Sequence, residues 1–160
     1  MLDTIDIAIL TALQESGRKR RNELAEETGL SLPAISERLR KLEDRGYITG
    51  YAALLDAKLL GNDVTAFVSV TIDTSKHFED FLRHVDANPE ILECHAVTGD
   101  GSHLLKIRTA NTASLEAILS SIQSWRGVHG TRTNVVLSTR KETLSISLAS
   151  AVHQHSEKKH

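Results

Sequence analysis

Hydrophobic residues repeat along the chain in two ways, first at helical spacing and then, from about residue 64, in strict alternation. Between Leu2 and Tyr51 the period is that of helices. Asp3 is a good N-cap, Leu2 can staple onto Ile7, and Ile5, Ile9, Ala12 and Leu13 make a stripe that ends near Gly17. Asn22 is placed to cap a short second helix with Leu24 and Ala25 inward, and Gly29 supplies the positive-φ residue that stops it. Ser31 caps a third helix with a core stripe of Ile35, Leu39 and Leu42. Pro33 fits its first turn, where the amide it lacks would have no helical partner. Arg45-Gly46 ends this helix, and the β-type residues of YITGYAALL suit a two-stranded wing or a single strand leaving the domain.

In the second pattern, VTAFVSVTI puts Val64, Ala66, Val68, Val70 and Ile72 on one face. Phe78, Phe81, Leu82 and Val85 then return to helical spacing. ILECHAVT and HLLKIRT read as strands joined by the turn GDGS. Leu115, Ile118, Leu119 and Ile122 stripe another helix, and TRTNVVLS closes as a fourth strand. TLSISLA alternates once more and predicts a fifth. The order βαββαβ sets both helices on one face of an antiparallel sheet; an apolar second face left uncovered would favour self-association. The expectation is an α+β chain: an N-terminal winged helix-turn-helix over 1–54, a linker over 55–63 around KLLGND, a ferredoxin-like domain over 64–149, and a fraying polar tail over 150–160.

Composition narrows the function classes. The 160 residues carry a formal charge of −2 and are 40% hydrophobic, enough to bury a core but not the balance of a strongly basic nucleic-acid binder. Three Phe, two Tyr and one Trp leave few platforms for stacking unpaired bases, so any nucleic-acid role is local and duplex-directed. Cys94 has no second cysteine to pair with, no stretch reaches the roughly 18 apolar residues of a membrane span, and Asp3 and Asp6 stand where a basic leader would begin. The expected location is the cytoplasm, with no membrane contact.

Candidate chemistry gathers on the third helix and the loop before the second. With Ile35, Leu39 and Leu42 inward, the outward face carries Pro33, Ser36, Glu37, Arg40, Lys41 and Asp44. Small polar residues lead, with Ser31 at the cap, and bases follow, as suits a helix entering a major groove while its neighbour crosses the backbone. The charge there is nearly balanced: Arg38, Arg40, Lys41 and Arg45 against Glu37, Glu43 and Asp44, so electrostatics alone fits a solvated face equally well. Arg18, Lys19, Arg20 and Arg21 precede the second helix, whose free amides and dipole favour phosphate.

LDTIDIAILTALQESGR, NELAEETGLS, ERLRKLEDRGYITGY and AVTGDGSHLLKI, in that order, resemble the Lrp/AsnC (feast/famine) transcriptional regulators from Leu2 to about Ser138. The resemblance implies a winged helix-turn-helix that binds double-stranded operator DNA. It also implies a ferredoxin-like effector and oligomerisation domain, and a dimer that assembles further, often into octamers. Arg38 and Gly46 match the family's recognition-helix pattern, while Lys19-Arg20 stands where an apolar or small residue is common. The resemblance further implies that Gly99, Asp100 and Ser102 of GDGS, with Thr131 and Thr133 on the last strand, line a cleft for an amino acid or another small molecule. Ser102 replaces the family's usual second Asp, and a hydroxyl does not replace a carboxylate in holding an ammonium. A weak response to ordinary amino acids is expected.

The competing reading is a ferredoxin-like small-molecule-binding regulatory module that acts through protein contacts on a metabolic enzyme. An enzyme would need a reactive residue at the sheet, where only Cys94 is available and a buried small hydrophobe is the simpler role. Cys94 and His95 are adjacent on a strand and point to opposite faces, so with His103 they make a poor metal site. His153, His155 and His160 lie in the polar tail. No nucleophile motif or cofactor-binding loop emerges, so neither catalysis nor a cofactor is expected.

Overall fold

The structure is a computed structural model that describes residues 2–149 and 151. It divides into two compact units, one made of residues up to Leu54 together with those from Lys141 onward, the other running from Leu55 to Arg140.

The first unit holds three helices, α1 (Thr4–Glu15), α2 (Arg21–Thr28) and α3 (Leu32–Asp44). Asp3 caps α1 by accepting from the Asp6 amide at 2.8 Å, and Asp6 returns the bond to the Asp3 amide at 3.1 Å. These bonds satisfy amides that the helix itself cannot. α2 begins earlier than expected. Asn22 lies inside it, and the Glu23 carboxylate accepts from the Arg20 amide at 2.6 Å, so the return bond sets the start without a Ser, Asp or Asn at the cap. Gly29 closes α2 at φ +70°, where a side chain would be strained. Ser31 caps α3, Pro33 lies in its first turn, and Gly46 follows its end, all as expected. Leu2, Ile9, Leu10, Ala12, Leu24, Ile35, Leu39 and Leu42 form the core. The stretch predicted as a wing has no strand ladder.

The second unit is a four-stranded antiparallel sheet in the order β2-β3-β1-β4 with two helices. Its strands are β1 (Val64–Ile72), β2 (Ile91–Ala96), β3 (His103–Thr109) and β4 (Val128–Val135); its helices are α4 (Phe78–Ala87) and α5 (Thr112–Ser124). The sequence linker, 55–63, belongs to this unit, with Asp56 accepting from the Lys58 and Leu59 amides in its turn. Ala66, Val68, Val70 and Ile72 of β1 pack with Leu105, Ile107, Phe81, Val85, Leu115, Ile118 and Ile122. β4 starts at Val128, earlier than the predicted TRTNVVLS.

Two expectations fail in the later part of the chain. The second face of the sheet is mixed, not apolar: register aligns Phe67 with Lys106 and Asn134, and Ser69 with Leu104 and Arg132. Lys106 also pairs with Glu93 at 3.0 Å there. The alternation of TLSISLA does not make a fifth strand either. The segment returns to the first unit, where Gln14 accepts from the Ile146 amide at 2.7 Å and donates to its carbonyl at 3.1 Å. Leu148 and Ala151 pack on that unit's core. By its contacts the second unit ends at Arg140, short of the 149 expected, and His153, His155 and His160 lie outside the described residues.

Candidate DNA-binding face and effector cleft

The three helices make a helix-turn-helix whose outward surfaces differ sharply in how their cations are held. In the loop before α2, Arg18 and Arg20 are exposed and, with Arg21, have no carboxylate partner among the described residues. Lys19 pairs with Glu27. Arg21 reaches across to α3, donating to the Ser36 hydroxyl at 3.4 Å. Three of the four loop cations thus remain available for phosphate beside the free amides of α2.

On α3 the arginines are committed. Arg38, a DNA-binding candidate through the family's recognition-helix pattern, lies off the outward face. It turns back to α1 and donates to Asp3 and Asp6, both at 2.6 Å, with 28% of its side chain exposed. It thereby fixes the capped start of α1 to α3. Burial works against the Asp3 carboxylate, but the Asp6 amide and Arg38 outweigh it and hold its pKa below the ordinary value. Arg40 does point outward, with 59% of its side chain exposed. Its Nε and Nη2 donate to Glu37 at 3.2 and 2.9 Å, and its Nη1 to Asp44 at 2.8 Å. Lys41 lies 3.3 Å from Glu37. Hydrogen bonds from Arg40 and then Lys41 lower the Glu37 pKa, so the carboxylate is charged at neutral pH. Ser31 accepts from the Ala34 amide at 3.4 Å and serves the helix start.

The second unit carries a small cleft lined by Ser69, Thr71, Asp100, Gly130, Thr131 and Arg132. Its volume is about 180 Å³, the room of several waters at ~30 Å³ each and well short of the ~300 Å³ of a drug-sized site. Asp100 and Arg132 face each other at 3.2 Å, and both are largely exposed. Gly99 has φ +112°, which favours glycine in the turn that presents Asp100, and a Cβ on Gly101 would crowd the Val70 carbonyl at 3.1 Å.

Ser102 does not face the cleft as a ligand group. Its hydroxyl donates to the Val70 carbonyl at 3.1 Å and accepts from the Ile72 amide at 3.2 Å, tying the loop to β1. Thr131 lines the cleft as expected, with its hydroxyl turned to α5, whereas Thr133 does not line it. Register pairs them with Val70 and Val68, which face the helices, and the Thr131 hydroxyl accepts from Gln123 of α5 at 2.9 Å. Arg132, one position away in parity, is the β4 side chain beside Asp100. The sequence reading missed it, although alternation about Val68 and Val70 would have found it once the register was fixed. Cys94 is half-buried, and burial followed by the Asp86 charge raises its pKa, which opposes thiolate chemistry. No group of metal-ligating residues occurs among the described residues.

A capped three-helix reading head followed by a ferredoxin-like unit with a small charged cleft describes a class, the DNA-binding transcriptional regulators that carry their own effector domain. Residues 2–49 match the model of a winged helix-turn-helix DNA-binding domain, and residues 65–146 that of the Lrp/AsnC ligand binding domain. The second match runs past Lys141, where the chain's contacts return to the first unit. The chain is 38% identical to the HTH-type transcriptional regulator FL11 of Pyrococcus horikoshii, over 92% of this chain and 97% of that one. It is 40% identical to the leucine-responsive regulatory protein of Haemophilus influenzae, over 89% and 87%. A transcriptional regulator of Neisseria meningitidis solved with L-methionine superposes with a TM-score of 0.90 at 35% identity, covering 94% of this chain and 99% of that one.

The chain belongs to the Lrp/AsnC family of transcriptional regulators. It is a sequence-specific DNA-binding regulator of that type and not an enzyme. No helix among the described residues is long and apolar enough to cross a membrane.

Proposed function

We propose that α3 enters the major groove with Ser36, Arg40 and Lys41 leading, while Arg18, Arg20 and Arg21 hold the phosphate backbone beside the start of α2. The observation that carries this reading is the division of cations: Arg18, Arg20 and Arg21 without a carboxylate partner among the described residues, where sequence-independent grip is needed, and Arg40 and Lys41 held on the helix, where bases are read. Replacing Arg18 and Arg20 by Ala is expected to weaken all duplexes alike and to reduce the salt slope by about 0.9 for each phosphate no longer neutralised. Replacing Arg40 by Ala is expected to cost about 1–3 kcal/mol on a preferred sequence and to relax one base position. Fluorescence anisotropy on preferred and random duplexes across a salt series checks both. An unchanged slope in the loop variant defeats the clamp.

The same reading gives the Asp100–Arg132 cleft to a small zwitterion, its ammonium on Asp100 and its carboxylate on Arg132. The L-methionine bound by the Neisseria relative supports an amino acid as that ligand. Calorimetry with a panel of amino acids on wild type and on Arg132→Ala tests it, since loss of the carboxylate partner abolishes binding in this arrangement. Self-assembly into dimers and larger oligomers, acting in the cytoplasm, completes the proposal. Its support is the run of exposed apolar residues Tyr51, Leu54, Leu55, Leu59 and Leu60. Sedimentation of wild type against Leu54→Ser/Leu59→Ser reads the assembly.

A further inference from the structure

The outward face of α3 poses a problem for the reading just given. A bidentate contact with guanine uses two guanidinium nitrogens, yet Nε, Nη1 and Nη2 of Arg40 are all donating to carboxylates of its own helix. Lys41 shares one of those carboxylates. Arg40 and Lys41 against Glu37 and Asp44 leave these positions with no net charge. The face aimed at DNA is therefore electrostatically silent, while the loop before α2 is not. Asp44 sits in the last turn, where the helix dipole disfavours an acid. Glu37 is the hub, one carboxylate holding two cations.

We infer that Glu37 is a specificity-determining residue that withholds Arg40 and Lys41 from non-cognate DNA. A phosphate approaching α3 must displace a carboxylate to reach a cation, exchanging one charged partner for another and releasing few counterions. It also leaves Glu37 unpaired beside the negatively charged backbone. A preferred sequence offers a better exchange. Guanine takes two Arg40 donors in fixed geometry, and a neighbouring cytosine amine can donate to the released Glu37. The acid thus penalises random sequence more than the operator, and the loop cations supply the affinity it forgoes.

This inference rests on α3 being the reading face, and the test separates the two. The probes are a random-sequence duplex and a duplex selected from a random pool by the wild-type protein, titrated with wild type, Glu37→Gln, Asp44→Asn and Arg40→Ala between 50 and 200 mM salt, roughly the range over which phosphate neutralisation is resolved. Glu37→Gln is expected to bind the random duplex about 3- to 10-fold more tightly, with a salt slope steeper by about 0.9 for each additional phosphate that Arg40 or Lys41 neutralises. The selected duplex benefits less, so the ratio between the two falls. Asp44→Asn, which frees only Nη1, shifts in the same direction by less. Thermal melts of the variants confirm folding, because Glu37 and Asp44 lie on the solvent side. Random-duplex affinity and slope unchanged in Glu37→Gln, while Arg40→Ala still loses the selected duplex, overturns the inference and leaves the reading face standing. So does loss confined to the selected duplex, which would make Glu37 a base reader only. Arg40→Ala without effect on either duplex removes the reading face and the inference together.

Discussion

Both units pair charges at the surface, but they differ in the ionisable group they bury. In the first, charge answers charge at or near the surface: Asp3 and Asp6 hold Arg38, Glu27 holds Lys19, and Glu37 holds Arg40 and Lys41. In the second, His103 is 4% exposed and sits against the rings of Phe78 and Phe81, each 4.9 Å away, with the Ser102 hydroxyl as its polar neighbour. Burial pushes its pKa down, keeping the ring neutral. A unit that meets a polyanion keeps its cations charged and arranged; a unit that hosts a small ligand keeps its interior uncharged and packed.

The comparison breaks most severely at Phe81, which is fully buried and contacts both His103 and Trp125. Phe81→Ala is expected to destabilise the second unit by about 3–5 kcal/mol. The fluorescence of Trp125, the protein's one tryptophan, reports that unit alone. Arg38→Ala is the counterpart in the first unit. It leaves Asp3 and Asp6 facing each other without their cation, and partial solvation limits the loss to about 1–2 kcal/mol. Amide exchange at Ile9 and Leu24 should follow that loss while Trp125 stays constant.

Acid sharpens the contrast. Above about pH 6.5 His103 is neutral whether folded or not and costs nothing. Below that value the unfolded chain takes up the proton first, so the second unit loses stability as the pH falls, until the lowered folded pKa is passed. Asp3 behaves as a depressed carboxylate: its contribution is present above about pH 3.9 and is lost as the pH falls through the folded value. Melting followed by Trp125 should therefore decline on acidification before amide protection at Ile9 does. A Trp125 melt that is flat from neutrality to well below pH 6.5 would count against a buried neutral His103. The smallest effect is Arg40→Ala on stability, with the thermal denaturation midpoint essentially unmoved, because both its ion pairs are exposed.

Much of the fold was legible because strong periods with clear ends encode it. α1, α3 and β1 appear where Asp3, Ser31, Gly46 and the alternation from Val64 put them. What failed was non-local. The apolar alternation of TLSISLA is real, but a strand needs a ladder neighbour, and the side chain of Gln14 takes the backbone of Ile146 instead. Arg38 flanks the Ile35 stripe, and only the return of α1 in space supplies its partners, 35 and 32 residues away. Thr133 was expected in the cleft and lies outside it, and Arg132 was missed there, because alternation without register does not say which face is which. The start of α2 was misplaced because Glu23 caps it from inside.

The return of the chain after Arg140 has a consequence for synthesis. A ribosome delivers the first unit's three helices early, and domains commonly begin to fold in that order as they emerge. Here Leu148 and Ala151, and the backbone of Ile146 that Gln14 grips, follow the whole of the second unit. Joining ends 132 residues apart costs only about 2 kcal/mol more than closing a ten-residue loop, since the entropy of closure grows with the logarithm of length. The first unit thus begins to form early in translation and receives its last packing partners only after the second unit has been made.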